Sequence, residues 1–345
     1  MKINKKNIIA ILISIIFIVI IFHNIDFARL VNTFKLFNYK IILLIVPLFF
    51  IAMLLRGLRW KYILHNDKTY SAQELTEVYI LGAALNIYLP ARAGDFFRAY
   101  FLGKKHNKSK LKLFASIVLE RVFDGLATLS ILILAVSLYH KTRFGLNLSI
   151  ISGTIFVGAI IALYLLYKFN KTDKICSSLK NFSSKFSSKI ASMACTLIEK
   201  INTCFNSFIE GLESLAQIKT TLYICGLSAV IWSIECLMTY LVIINFGYDV
   251  SFSISLFVIS FIAFATVIPS TSIFIGPYQY AFILALAIYK IDKSQALAIA
   301  FTQQIITLLI ITTVSFLIVM KNNMQDRDII IEEIKEAQNA HDNEE

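Results

Sequence analysis

Charge is scarce in this sequence. Asp, Glu, Lys and Arg make up 16% of its 345 residues, while 57% are hydrophobic and 28 residues are phenylalanine. A soluble domain of this size needs far more charge to cover its surface, so an ordinary water-soluble fold is excluded. Glycine (12) and proline (4) are also few, which excludes fibrous and low-complexity architectures and makes the place of each proline informative. The cysteines, Cys176, Cys195, Cys204, Cys225 and Cys236, are odd in number and lack CxxC spacing or paired histidines. They indicate neither a disulfide framework nor a metal site. A nucleotide-binding glycine loop, a DxD pair and a histidine cluster are all missing, so no cofactor is expected. No nucleic-acid-binding motif accompanies the net charge of +11, and this excess is read as topology and contact with anionic lipid.

Long apolar runs fill the chain instead, at residues 8–22, 41–55, 125–139, 146–167, 222–246, 252–268 and 296–320. About 20 such residues cross ~30 Å of hydrocarbon, and flanking Lys or Arg can snorkel. The expected fold is an all-α polytopic membrane protein with about six to eight transmembrane helices. The first run is read as a membrane segment and not a cleaved leader, because FHNIDFARL follows it without a small-residue cleavage site. Segments holding Lys2, Lys5 and Lys6, then Arg56, Arg59, Lys61 and Lys68, then Lys104 to Lys112, are the more basic alternate set. The positive-inside rule places them, and both termini, in the cytoplasm. With the Ile, Lys and Asn bias of an AT-rich genome, the expected location is the cytoplasmic (inner) membrane of a prokaryote. Residues 1–320 form the membrane domain. Within it, residues 169–221 repeat apolar positions at three or four spacing opposite Ser and Lys, as an amphipathic cytoplasmic loop. Residues 321–345 are a short acidic tail.

Two stretches break the pattern. LNIYLPARAGDFFRAYFLGKK starts at Leu85 and places Asn86, Pro90, Arg92, Gly94, Asp95 and Arg98 in an apolar neighbourhood flanked on both sides by basic segments. Residues 75–102 are too few for two crossings, so the segment is expected to enter, break at Pro90 and return as a re-entrant hairpin. IPSTSIFIGPYQYAF, with Pro269, Gly276 and Pro277, is a second broken segment in the other half of the chain. Short, Gly/Pro-interrupted segments in corresponding halves point to inverted repeats with a site at their interface. The alternative is two proline kinks in ordinary helices.

A third cluster lies in LFASIVLERVFDGLATL, where Glu120, Arg121 and Asp124 fall about two turns into a helix. Asp95 with Arg121, Arg98 with Glu120, and Arg121 with Asp124 are the expected pairs. Arg92, Arg98 and Arg121 against Asp95, Glu120 and Asp124 give three charges of each sign, which leaves no surplus for an anionic ligand. The set reads either as a binding site or as a structural ion-pair lattice. Glu235, inside VIWSIECLMTY, has no partner near it in sequence and reads either as a candidate for proton coupling or contact with a lipid amine, or as a protonated, hydrogen-bonded acid facing another helix. Gln303 and Gln304 read as interhelical hydrogen-bond glue.

The ordered motifs RGLRW from Arg56, NIYLPARAGDFFRAYFL from Asn86, LERVFD from Leu119, IPSTSIFIGPYQYAF and AFTQQ resemble the flippase-like membrane family. That family includes the transmembrane region of lysylphosphatidylglycerol synthase, the multiple peptide resistance factor. The resemblance implies translocation of lipids with modified headgroups, carried by Asn86, Pro90, Arg92, Gly94, Asp95, Arg98, Glu120, Arg121 and Asp124. Two departures stand out. Ser272 to Phe274 replace a Pro-Gly step, and Gln279 stands near a place often acidic, which argues against a charged outer gate. Bifunctional members also carry a large soluble transferase domain, and the residues after Met320 are too short for one.

The expected activity is therefore transport of an amphiphile, such as an aminoacylated phosphatidylglycerol or a polyprenyl-linked glycan precursor, without enzymatic turnover. Arg92 and Arg98 are expected to engage the headgroup phosphate. Expected partners are membrane lipids, a separate lipid-modifying enzyme or glycosyltransferase, and a second copy in a homo-oligomer. A membrane-embedded transferase and a non-transporting envelope-assembly partner remain as alternatives.

Overall fold

The structure, a computed structural model, describes residues 17, 19–23, 25–65, 67–89, 92–138, 150, 154, 158, 218–266 and 274–321. Pro90, Pro269, three of the five cysteines, most of the run at 146–167, the acidic tail after Lys321 and all but the end of the amphipathic loop lie outside these residues. The described elements are helical throughout, without a strand. They are α1 (Phe27–Lys35), α2 (Ile42–Ile63), α3 (Ala72–Tyr88), α4 (Ala93–Lys105), α5 (Lys110–Leu138), α6 (Ile218–Asn245), α7 (Ser253–Ala265), α8 (Pro277–Ala287) and α9 (Lys293–Lys321).

Three of them have the length and apolar composition to cross a membrane: α2 with the 3-10 turn before it (Tyr39–Ile63), α6 and α9. Helix α5 is as long as α9, at 29 residues, but carries Glu120, Arg121 and Asp124. The outward faces of α2, α5 and α9 carry large exposed side chains such as Leu43, Leu54, Ile133 and Phe316. A soluble protein could not present these to water, whereas lipid accepts them. The chain is an integral membrane protein.

Both broken segments form helical hairpins. Serine 71 caps α3 by accepting from the Glu74 amide at 3.0 Å. At the other end Leu89 turns extended (ψ 146°), the conformation imposed on a residue that precedes proline. The arms α4, α7 and α8 contain 13, 13 and 11 residues. At 1.5 Å per residue each spans ~20 Å or less, short of the ~30 Å hydrocarbon core. The pattern of a kinked ordinary helix therefore does not apply.

The order of elements repeats. Long helix, hairpin, long helix describes α2, α3–α4, α5 and again α6, α7–α8, α9. Packing follows the same rule, because hairpin α3–α4 lies against α9 and hairpin α7–α8 lies against α5, while α2 packs on α6 across the middle. Each hairpin therefore packs on helices of both repeats.

Helix α2 approaches α3 through Gly57. A Cβ there would stand 2.8 Å from the Thr76 backbone, so Gly57→Ala must push the helices apart. We expect a loss of about 1–3 kcal/mol, opposite in sign to the ~1 kcal/mol that alanine gains over glycine within a helix. Thermal unfolding of the purified protein checks it against Gly226→Ala, where nothing lies within 4 Å and the change should be neutral or stabilising.

Candidate functional site

The first hairpin is closed by a reciprocal clamp. Asn86, in the last turn of α3, donates from its amide nitrogen to Asp95 Oδ1 at 3.1 Å, and its own oxygen accepts from the Asp95 backbone amide at 3.2 Å. The arms touch backbone to backbone beside the clamp, since a Cβ on Gly94 would fall on the Gly82 carbonyl. Only glycine permits that approach. Asn86 and Gly94 thus fix where the first turn of α4 points.

The charged side chains expected from sequence do assemble. Arg98 Nη2 lies 2.8 Å from Glu120 Oε2, Arg121 lies 3.3 Å from Asp95, and Arg121 lies 3.3 Å from Asp124. Arg121–Asp124 follows from i, i+3 spacing, and the other two are the pairs expected of a structural ion-pair lattice. Arg98 is also sandwiched, its guanidinium carbon 4.0 Å from the Trp60 ring centre and 4.4 Å from that of Tyr79. With 1% of its side chain exposed, Arg98 is enclosed between the two rings and Glu120, and it joins α4 to α5 through that pair.

Two further arginines join, contrary to the reading that placed them in a loop. Helix α2 does not stop with its apolar run but continues to Ile63, which carries Arg56 and Arg59 into the interior. Arg59, fully buried, lies 2.7 Å from Asp124 and 3.7 Å from Glu120, and donates to Ser228 at 3.0 Å. Trp232 Nε1 donates to the same Asp124 oxygen at 3.1 Å. Arg56 lies 2.8 Å from Glu235 and donates to the Tyr79 hydroxyl at 3.1 Å. Glu235 thus has a partner, distant in sequence, and its side chain is 23% exposed.

This alters the charge balance. Arg56, Arg59, Arg92, Arg98 and Arg121 face Asp95, Glu120, Asp124 and Glu235, and one positive charge is left over. Geometry identifies it as Arg92. No acid lies within 4 Å of Arg92 among the described residues, and Arg92 makes one long hydrogen bond, 3.4 Å, to the Thr266 carbonyl. Thr266 caps the C-terminus of α7, so Arg92 reaches from the break of one hairpin to the break of the other. Its backbone is left-handed (φ 55°, ψ 41°), a conformation that costs a non-glycine residue on the order of 1 kcal/mol or more. Arg121, with 33% of its side chain exposed, is the other arginine open to this space.

The second hairpin repeats the construction without charge. Phe274 (φ 54°) and Gly276 (φ 104°) turn the chain, Pro277 opens α8, and Gln279 accepts from the Gly276 amide at 2.8 Å. Gln279 then donates to Gln304 of α9 at 2.5 Å. Gln279 occupies the same third helical position as Asp95, and Gln304 the same long helix of its repeat as Arg121. An ion pair in the first repeat is an amide pair in the second. Gln303 donates to Thr239 of α6 at 2.8 Å, so both glutamines do join helices.

The sequence model of one family, described as the lysylphosphatidylglycerol synthase TM region, matches residues 7–315. The chain belongs to that family. Its relatives include a UPF0104 membrane protein of Methanocaldococcus jannaschii, 26% identical over 247 residues that cover 70% of this chain and 97% of the relative. A UPF0104 membrane protein of Pyrococcus horikoshii is 24% identical over 333 residues, covering 92% and 97%. The glycosyltransferase AglD of Haloferax volcanii is 25% identical over 276 residues, 71% of this chain but 43% of the relative. No solved structure matches. The matched range spans both hairpins and the LERVFD stretch of α5.

Proposed function

We propose that this protein moves a phosphate-bearing amphiphile across the cytoplasmic membrane. Arg92 contacts the headgroup, Arg121 assists it, and the paired charges around them form the rigid wall. The observation that carries this reading is the uncompensated Arg92, held in a left-handed conformation where the two hairpin breaks meet. An intramembrane ion without an acid is costly unless a ligand or water meets it, and a guanidinium suits phosphate by bidentate, charge-assisted hydrogen bonds. Rocking one repeat against the other would then expose the headgroup to either leaflet. Glu235, with 23% of its side chain exposed beside Arg56, would meet an amine on the same headgroup or carry a proton.

Reconstitution into liposomes tests the reading, with headgroup-labelled anionic, aminoacylated and polyprenyl-linked lipids scored by access to an external quencher. Arg92→Ala should slow leaflet exchange on the order of ten- to a hundredfold, the loss of one charge-assisted hydrogen bond, with Arg92→Lys intermediate. Unchanged exchange in a folded Arg92→Ala protein would remove Arg92 from the mechanism.

The name of the Haloferax volcanii relative raises a second reading, transfer of a lipid-linked sugar, although the match covers 43% of that protein. The acids that a transferase would use as base or metal ligands, Asp95, Glu120 and Asp124, are each engaged by arginine. Turnover of a lipid-linked substrate by the purified chain would favour the transferase.

A further inference from the structure

A second amphiphilic pocket lies apart from the charged cluster, at the end of α2. It has a volume of about 310 Å³ and sits between the α2–α3 loop and the first turns of α5. Its floor is apolar, formed by Ile63, Leu113, Ala115 and Leu119. Its rim carries His65, Lys108 and Lys112, with Asp67 as the one acid. The Asp67 carboxylate accepts from the Thr69 amide at 2.9 Å. Hydrogen bonds from Thr69, with a smaller contribution from the Lys108 charge, hold that carboxyl below the usual carboxylate range, so it stays ionised.

Position decides the class of ligand. The membrane-crossing stretch Tyr39–Ile63 ends at this pocket, and Tyr62 stacks on Tyr223 of α6 with ring centres 5.5 Å apart, as aromatic residues do at the lipid–water boundary. A pocket with a basic rim, an apolar floor and this depth matches a phosphate joined to a hydrocarbon chain. Basic pockets between membrane helices at such a boundary take anionic lipid headgroups. We infer that the pocket bounded by His65, Lys108, Lys112 and Ala115 binds the phosphate of an anionic membrane phospholipid, as a site separate from Arg92. It is one side-chain layer from the cluster. Ser116, in the pocket wall, accepts from Trp60 Nε1 at 3.0 Å, and the Trp60 ring carries Arg98. A bound lipid would therefore brace the ring that positions Arg98.

Native mass spectrometry of the full chain in micelles supplied with phosphatidylglycerol or phosphatidylcholine tests this. Phosphatidylglycerol should be retained in preference. The Lys108→Gln, Lys112→Gln double variant should retain it on the order of tenfold less, from the loss of two interfacial charges. Ala115→Phe, which fills the floor, should lose it. Equal retention of phosphatidylcholine, or full retention in the double lysine variant, would overturn the site. Displacement by an equal concentration of inorganic phosphate would make the ligand a free anion, and that result also overturns the assignment.

Discussion

Arg98→Ala should destabilise the protein by about 3–5 kcal/mol, the cost of leaving a buried acid without its partner. Glu120 is fully buried, and Arg98 supplies its shortest contact at 2.8 Å, against 3.3 Å from Arg121 and 3.7 Å from Arg59. The substitution also empties the slot between Trp60 and Tyr79, and each lost cation–π contact adds about 1–2 kcal/mol when desolvated. Denaturant titration in mixed micelles measures this. Arg98→Lys should recover only part, because an ammonium keeps the charge but cannot span Glu120 and stack on two rings together. Arg92→Ala provides the contrast. Removing a side chain with one long hydrogen bond and no acid should change stability by ~1 kcal/mol or less. If Arg92→Ala proved as destabilising as Arg98→Ala, both arginines would belong to one structural lattice, and the transport reading would lose its basis.

Much of the fold is legible in the sequence for identifiable reasons. The apolar runs that became α6 and α9 have helical length and no competing signal. The hairpins are legible because proline and glycine are so few that their clustering stands out, and because basic flanks bracket a segment too short for two crossings. The pairs Arg98–Glu120 and Arg121–Asp95 follow from the cost of a buried unpaired ion, which makes acids and arginines in two neighbouring segments seek each other. Arg56 and Arg59 were misplaced by the same logic, since basic residues after an apolar run read as its cytoplasmic flank. The clue against that reading was length. Residues 41–55 are too few for a span unless the helix continues through Arg56 to Trp60, and an arginine three residues from another on that helix must then find acids on other helices. Those acids lie far away in sequence, on α5 and α6, so no local pattern reports the pairing. The surplus charge on Arg92 was invisible for the same reason: it appears only when every member of the set has been found.

A double-mutant cycle on Arg59 and Asp124 separates the lattice from the site. Arg59→Leu leaves Asp124 with Arg121 at 3.3 Å and Trp232 at 3.1 Å, while Asp124→Leu leaves Arg59 with Ser228 at 3.0 Å and Glu120 at 3.7 Å. Each single change strands a buried charge and should cost about 3–5 kcal/mol. Leucine at both positions removes the two charges together. Buried pairs replaced by apolar residues are often neutral, so the double variant should fall short of the summed single costs by about 2–3 kcal/mol. Part of the cost should persist, because Trp232 loses its acceptor. The charge balance makes the functional outcome definite: Arg56, Arg92, Arg98 and Arg121 against Asp95, Glu120 and Glu235 still leave one positive charge, and it is still Arg92. The double variant should therefore move lipid at close to the parent rate in the same liposome assay, while Arg92→Ala does not. Loss of transport in a folded, stable double variant would mean that the Arg59–Asp124 pair itself opens during translocation and that the wall takes part in the motion.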